Sequence, residues 1–291
     1  MSWQLALPRG RTLELTRRPR VMGVVNLTPD SFSDGGLWLD PERAVAHGLE
    51  MVAQGAEILD LGAESTRPGG GVYGSGAAAV PAAEELARLL PVLEGLRRAT
   101  DAVLSVDTRK AEVARRALAA GADLINDVGG LADGELAAAV AAAGCPVVAM
   151  HSRGELSTMQ RGIRFRDVVA EVTAELGEIA ARAGRAGIAP EKLILDPGIG
   201  FGKTAEQNLR LLAALDALAA LGRPILVGAS RKSFIAKVSP APPDARLGGS
   251  LAAVAAAARG GAAIVRVHDV AATVQYLRVD SAIHLAAARG R

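Results

Sequence analysis

The chain has 291 residues, 33 basic and 31 acidic, for a formal charge of +2. That balance gives no electrostatic case for nucleic acid or a polyanionic surface, and an aromatic content of 3% leaves little to stack on bases. One cysteine, Cys145, excludes an internal disulfide and reads as a small buried hydrophobe. No apolar run approaches the roughly 20 residues that span a bilayer, and the first residues lack a signal-peptide core. A soluble, cytoplasmic protein is expected.

Residues 1–19 read as a β-hairpin extension: an alternating stretch over 3–7, the turn Pro8-Arg9-Gly10-Arg11, then 12–16. The hairpin is expected to cover one end of the body formed by residues 20–291. From residue 20 onward, short apolar runs alternate with longer stretches of helical periodicity. Strands are predicted at 21–25, 58–61, 103–106, 124–125, 146–150, 193–195, 225–227 and 263–267. Helices are predicted at 41–54, 83–98, 111–120, 134–142, 165–183, 205–220, 245–259 and 271–287, as in the spacing of Leu209, Leu212, Leu215 and Leu218. Gly55, Gly121, Gly144, Gly187, Gly222 and Gly260 mark helix ends. Eight β–α units over about 270 residues fit a single (β/α)₈ TIM barrel, typically about 250 residues long. A doubly wound sheet is disfavoured, because the first strand is not followed by its phosphate-binding glycine fingerprint.

Active sites of such barrels sit at the C-terminal strand ends, and there the chain changes character. The first strand gives way to Asn26-Leu27-Thr28-Pro29-Asp30-Ser31-Phe32-Ser33-Asp34-Gly35-Gly36, and the second to Glu64-Ser65-Thr66-Arg67-Pro68-Gly69. Asp107, Asn126 and Asp196 end later strands and can accept paired N–H bonds from an amidine-like heterocycle such as a pterin or purine edge. Met150 and Phe201 offer contact to a flat ring. An aspartate at a strand–helix junction is equally a favoured helix N-cap, which stays an alternative. Arg266 and His268, two apart on the last strand, face the same way. With Arg67 they can hold a phosphate or diphosphate, the alternative for Arg266 being a salt bridge to Asp269. Asn26 suits Mg²⁺ shared with diphosphate oxygens and water, since Mg²⁺ keeps several waters and takes few protein ligands. Lys203 and Lys232 both fall in strand-end loops; hydrogen bonding to a ring carbonyl is favoured for Lys232 over a Schiff base.

Taken in order, Gly23–Gly36, Gly62–Gly69, Ser105-Val106-Asp107-Thr108, Ile125-Asn126-Asp127, Met150-His151, Asp196–Lys203, Gly228–Ser233 and Val265–Asp269 resemble the dihydropteroate synthases, folate-pathway enzymes that sulfonamide drugs inhibit. The ordered set covers almost the whole chain. The resemblance implies transfer of a pterin from 6-hydroxymethyl-7,8-dihydropterin diphosphate to p-aminobenzoate, with catalytic roles for Asp107, Lys232, Arg266 and His268. Asp107, Asn126, Asp196 and Lys232 would bind pterin, and Asn26, Arg67, Arg266 and His268 the diphosphate, with Mg²⁺ on Asn26. Phe32, Thr66, Pro68 and Ser233 would form the p-aminobenzoate site, and Asp34 would help close it. The two loops that carry these residues are rich in Gly, Ser and Pro and are expected to order around bound Mg²⁺-diphosphate. A homodimer through the late helices is also implied. The rivals are a pterin-binding methyltransferase domain and an inactive barrel serving as a subunit of an assembly.

Overall fold

A computed structural model of the chain describes residues 2–28, 40–64, 80–154, 162 and 164–289. Eight parallel strands form one sheet: β3 (Arg20–Asn26), β4 (Ile58–Gly62), β5 (Val103–Asp107), β6 (Leu124–Asp127), β7 (Val147–Met150), β8 (Leu193–Asp196), β9 (Leu226–Val227) and β10 (Ile264–Val267). Their spatial order is β8-β7-β6-β5-β4-β3-β10-β9. The two ends meet through a parallel bridge between Leu195 and Ile225, supported by Leu195 N–H donating to Pro224 O at 3.0 Å. The sheet is therefore a closed barrel with one short seam.

Helices α1 (Pro41–Ala53), α2 (Ala82–Ala99), α3 (Ala111–Ala119), α4 (Gly134–Ala143), α5 (Val168–Arg185), α6 (Ala205–Ala213), α7 (Ser233–Val238), α8 (Leu247–Arg259) and α9 (Val270–Arg289) follow the strands. None of the described helices is long and apolar enough to cross a membrane. Three departures from the sequence expectation stand out. The helix predicted over 205–220 ends at Ala213; Ala214 (φ −124°) breaks it, and Leu215–Leu221 tightens into a 3₁₀ helix. The six-residue α7 lies where a loop was expected. Gly260 is not left-handed; Gly261 takes that role at φ +81°.

Alternation along the strands sorts the side chains into two populations. Leu59, Leu61, Leu104, Val106, Ile125, Val147, Leu195 and Val265 face outward into the main core with the helices. The inward residues at the N-terminal end of the barrel are Met22, Ile58, Val103, Leu124, Val148, Ile194, Leu226 and Ile264, which form a second apolar cluster. The hairpin, β1 (Trp3–Ala6) and β2 (Thr12–Leu15), closes that end by adding Leu5, Leu7, Leu13 and Leu15 to the cluster. Two residues further along, the inward positions of six strands become Asp60, Ser105, Asn126, Met150, Asp196 and Arg266, with Val24 and Gly228 on the other two. The barrel is thus apolar at its base and polar at its mouth, so binding groups are concentrated at the C-terminal ends of the strands.

Candidate active site

The mouth holds a concave pocket, the usual form of a small-molecule site. Asp107, Asn126, Met150, Asp196, Phe201, Lys232, Arg266 and His268 all line it, together with Val128, Gly198, Ile199, Gly228 and Ser230. The structure therefore brings together eight residues picked from six separate stretches of sequence. Asn26 ends β3, half-buried, beside Gly62 of β4. Ser233 opens α7 and is not among the lining residues. Phe32, Asp34, Thr66, Arg67 and Pro68 lie outside the described residues.

Asp107 does not cap a helix: the N-cap of α3 is Lys110, with no side-chain cap. Its Oδ2 accepts from Arg266 Nη2 at 3.1 Å. Its Oδ1 is buried with no hydrogen-bond partner among the described residues. Burial raises the Asp107 carboxyl to about 7; Arg266 opposes the rise, and Asp60, Asp127 and Glu85 add to it. Asp196 is also raised, to about 6, mainly by burial, against the Gly198 N–H and the charges of Lys232, Lys203 and Arg266. One of its oxygens accepts from Gly198 N–H at 2.7 Å, so it shapes the turn as well as facing the cavity. Asp127, by contrast, turns away to accept from Gly129 and Leu131 N–H and organises its own loop.

Arg266 does not pair with Asp269, the alternative partner expected for it. Its Nε donates to Asp60 at 2.6 Å and its Nη2 to Asp107, whereas Asp269 pairs with Arg231. That second pair supports Arg231 in a left-handed backbone conformation (φ +58°), with Arg231 N–H also donating to Ser250 Oγ at 2.9 Å. The strained residue sits between Ser230 and Lys232 and sends both into the site. Ser230 Oγ accepts from His268 N–H and lies 3.1 Å from His268 Nδ1. Burial, then Arg266 and Arg231, lowers His268 to about 4. That direction keeps it neutral near pH 7, so it can offer an N–H to an anion.

The two lysines part company. Lys232 lies with Nζ 4.0 Å from the Phe201 ring centroid, on the cavity wall. Lys203 instead turns beneath the glycine loop, donating to Gly198 O (3.1 Å), Phe201 O (3.0 Å) and His151 Nδ1 (2.9 Å). His151 Nε2 donates in turn to Glu175 at 2.8 Å. Burial lowers both Lys203, to about 7, and His151, to about 4. This chain holds the loop that presents Phe201. The loop demands glycine at 198, where φ is +67° and a Cβ would stand 1.9 Å from His151 O. Sequence reasoning missed the supports: Asp60 within β4, and the His151–Glu175 pair. The signal for Asp60 was a lone carboxylate inside an apolar strand.

The sequence profile of the pterin binding enzymes matches residues 22–268. The dihydropteroate synthase of Escherichia coli K12 is 46% identical over 274 residues, covering 94% of each chain. The chain belongs to the dihydropteroate synthase branch of the pterin-binding enzymes. Two solved members of that family superpose closely. The dihydropteroate synthase of Xanthomonas albilineans with 4-aminobenzoic acid has a TM-score of 0.89 and 49% identity, with 98% of this chain and 99% of that one covered. The Yersinia pestis enzyme in a sulfonamide drug complex also has a TM-score of 0.89, with 43% identity over 97% and 99% of the two chains.

Proposed function

We propose that the chain makes 7,8-dihydropteroate, joining the pterin of 6-hydroxymethyl-7,8-dihydropterin diphosphate to the amine of p-aminobenzoate and releasing diphosphate. The observation that carries this reading is the division of one cavity into an acceptor side, Asp107, Asn126 and Asp196, and a cationic side, Lys232, Arg266 and the N–H of His268. The acceptor side suits the donor-rich edge of the pterin. Lys232 can donate to its ring carbonyl, while Met150 and Phe201 flank its faces. Loss of diphosphate spreads positive charge over the dihydropterin ring, and the unpartnered Asp107 Oδ1 is placed to stabilise it. A neutral aniline then attacks the exocyclic carbon and sheds its proton, so no strong base is needed.

Arg266, His268 and Arg67 receive the leaving diphosphate. Asn26 offers one amide oxygen, and no group of three or more His, Cys, Asp or Glu able to hold a metal occurs among the described residues. That donor set fits a Mg²⁺ ion shared with the substrate's diphosphate, with Asn26 as its protein ligand. Such an ion supplies charge neutralisation at the leaving group. Phe32, Thr66, Pro68 and Ser233 form the p-aminobenzoate side, with Asp34 aiding closure. The enzyme works in the cytoplasm as a homodimer. The dimer reading is supported by apolar side chains exposed on the late elements: Val238, Leu247, Val279, Ile283 and Leu285. A sulfonamide tests the reaction: inhibition competitive with p-aminobenzoate is expected, and inhibition that p-aminobenzoate cannot relieve contradicts it.

A further inference from the structure

Asp60 sits in the middle of β4, where its neighbours on either side are buried leucines and the strand is wholly enclosed. Its carboxylate is completely buried, a placement tolerated only when every oxygen is well partnered. Three donors surround it, none from its own strand. Ser105 Oγ of β5 donates at 2.5 Å, Asn126 Nδ2 of β6 at 3.0 Å, and Arg266 Nε of β10 at 2.6 Å. Two of these three partners line the cavity, whereas Asp60 does not.

The chemistry of the partners makes the arrangement directional. An asparagine amide has one donor end and one acceptor end, and only its surroundings decide which faces a ligand. Because Nδ2 is committed to Asp60, Oδ1 of Asn126 is the end left for the cavity, as an acceptor. Arg266 is fixed in the same way. Its Nε is held by Asp60 and its Nη2 by Asp107, so one edge of the guanidinium is anchored and the Nη1 end is left for an anion. One buried carboxylate thus sets the orientation of a group on the acceptor side and a group on the cationic side.

We propose that Asp60 is the positioning residue of this site, fixing Asn126 as an acceptor for the pterin edge and Arg266 as a donor for the diphosphate without touching either ligand. The proposal rests on the function assigned above, and the test separates the two. Calorimetry measures binding of 6-hydroxymethylpterin, and separately of Mg²⁺-diphosphate, to the wild type and to Asp60→Asn, Asn126→Ala, Arg266→Gln, Asp60→Asn/Asn126→Ala and Asp60→Asn/Arg266→Gln. Asp60→Asn should weaken both ligands by about tenfold or more. Added to Asn126→Ala it should weaken pterin by less than about threefold further, and added to Arg266→Gln it should do the same for diphosphate, because its route of action is already gone.

Losses that multiply independently in the double variants would show that Asp60 acts on the fold alone, and would overturn the proposal. So would wild-type affinity in Asp60→Asn while Asn126→Ala and Arg266→Gln bind weakly. Wild-type affinity in those two single variants would overturn the site assignment itself, and this proposal with it. If Asp60→Asn does not fold, Ser105→Ala replaces it, removing one anchor of the carboxylate while keeping its charge. A loss of about threefold for both ligands supports the positioning role, and unchanged affinity for both overturns it.

Discussion

Replacing Asp196 by asparagine changes charge and hydrogen-bond polarity while keeping size. One carboxylate oxygen already accepts from Gly198 N–H at 2.7 Å, and the amide oxygen of asparagine can take over that bond. Its NH₂ group would then face the cavity, presenting a donor to the donor-rich edge of the pterin. The bond lost is one to a charged group, worth about 1.5–3 kcal/mol, so pterin affinity should fall roughly 10- to 150-fold at pH 7.5 at about 1.4 kcal/mol per tenfold change. The raised carboxyl adds a second signature. With Asp196 raised to about 6, the wild type carries the charge above that pH and loses it below. At pH 5 the ratio of wild-type to variant affinity should therefore narrow by about tenfold. Asp107 titrates in both proteins and largely cancels in that ratio. Calorimetric titration of 6-hydroxymethylpterin at the two pH values provides the numbers, and thermal melts show whether the variant is folded. For stability the sign is opposite to that of a paired surface carboxylate. A raised Asp contributes stability below 3.8 and loses it as pH rises through about 6, so that term favours the variant at pH 7.5. Unchanged pterin affinity in a folded variant would refute the reasoning and leave Asp196 a turn residue only.

The metal reading predicts that excess chelator removes diphosphate binding, and that Asn26→Ala weakens Mg²⁺-dependent diphosphate binding while pterin alone binds as before; full binding in chelator contradicts it. Mg²⁺-diphosphate should also tighten binding of a sulfonamide by about 1–3 kcal/mol, the usual size of coupling between sites. Equal sulfonamide affinity with and without it, by calorimetry, would show a preformed p-aminobenzoate pocket. The exposed apolar side chains of α9, Val279, Ile283 and Leu285, predict a dimer mass by light scattering at micromolar concentration, and a monomer mass at that concentration ends the assignment.

The barrel was legible because its two periodicities alternate along the chain, and because most strands end in or lead directly into polar residues of definite type. Asp107, Asn126, Asp196 and Arg266 were readable one at a time as strand ends, and the fold supplied their convergence. Asp60 was harder to see. In Ile58-Leu59-Asp60-Leu61 it looks like an intruder in an apolar run, and its meaning lies in partners 45, 66 and 206 residues away. Lys203 shows the same limit. Its loop position left its role open; it turns under the loop to Gly198 O, Phe201 O and His151 Nδ1, and only tertiary structure decides which way a lysine turns. The break at Ala214 left no trace, because Ala and Leu on either side of it keep helical periodicity. At the end of α8 two adjacent glycines divided the work. Gly260 permits close packing, since a Cβ there would stand 2.6 Å from the Leu215 side chain, and Gly261 supplies the left-handed turn.

The central claim is that one site couples departure of diphosphate to attack by p-aminobenzoate. The most direct measurement is diphosphate release from 6-hydroxymethyl-7,8-dihydropterin diphosphate with Mg²⁺, in the presence and absence of p-aminobenzoate, with 7,8-dihydropteroate followed in the same samples. The account predicts release that depends on p-aminobenzoate, with one dihydropteroate formed per diphosphate released. No release under either condition, or release without any dihydropteroate, would contradict it.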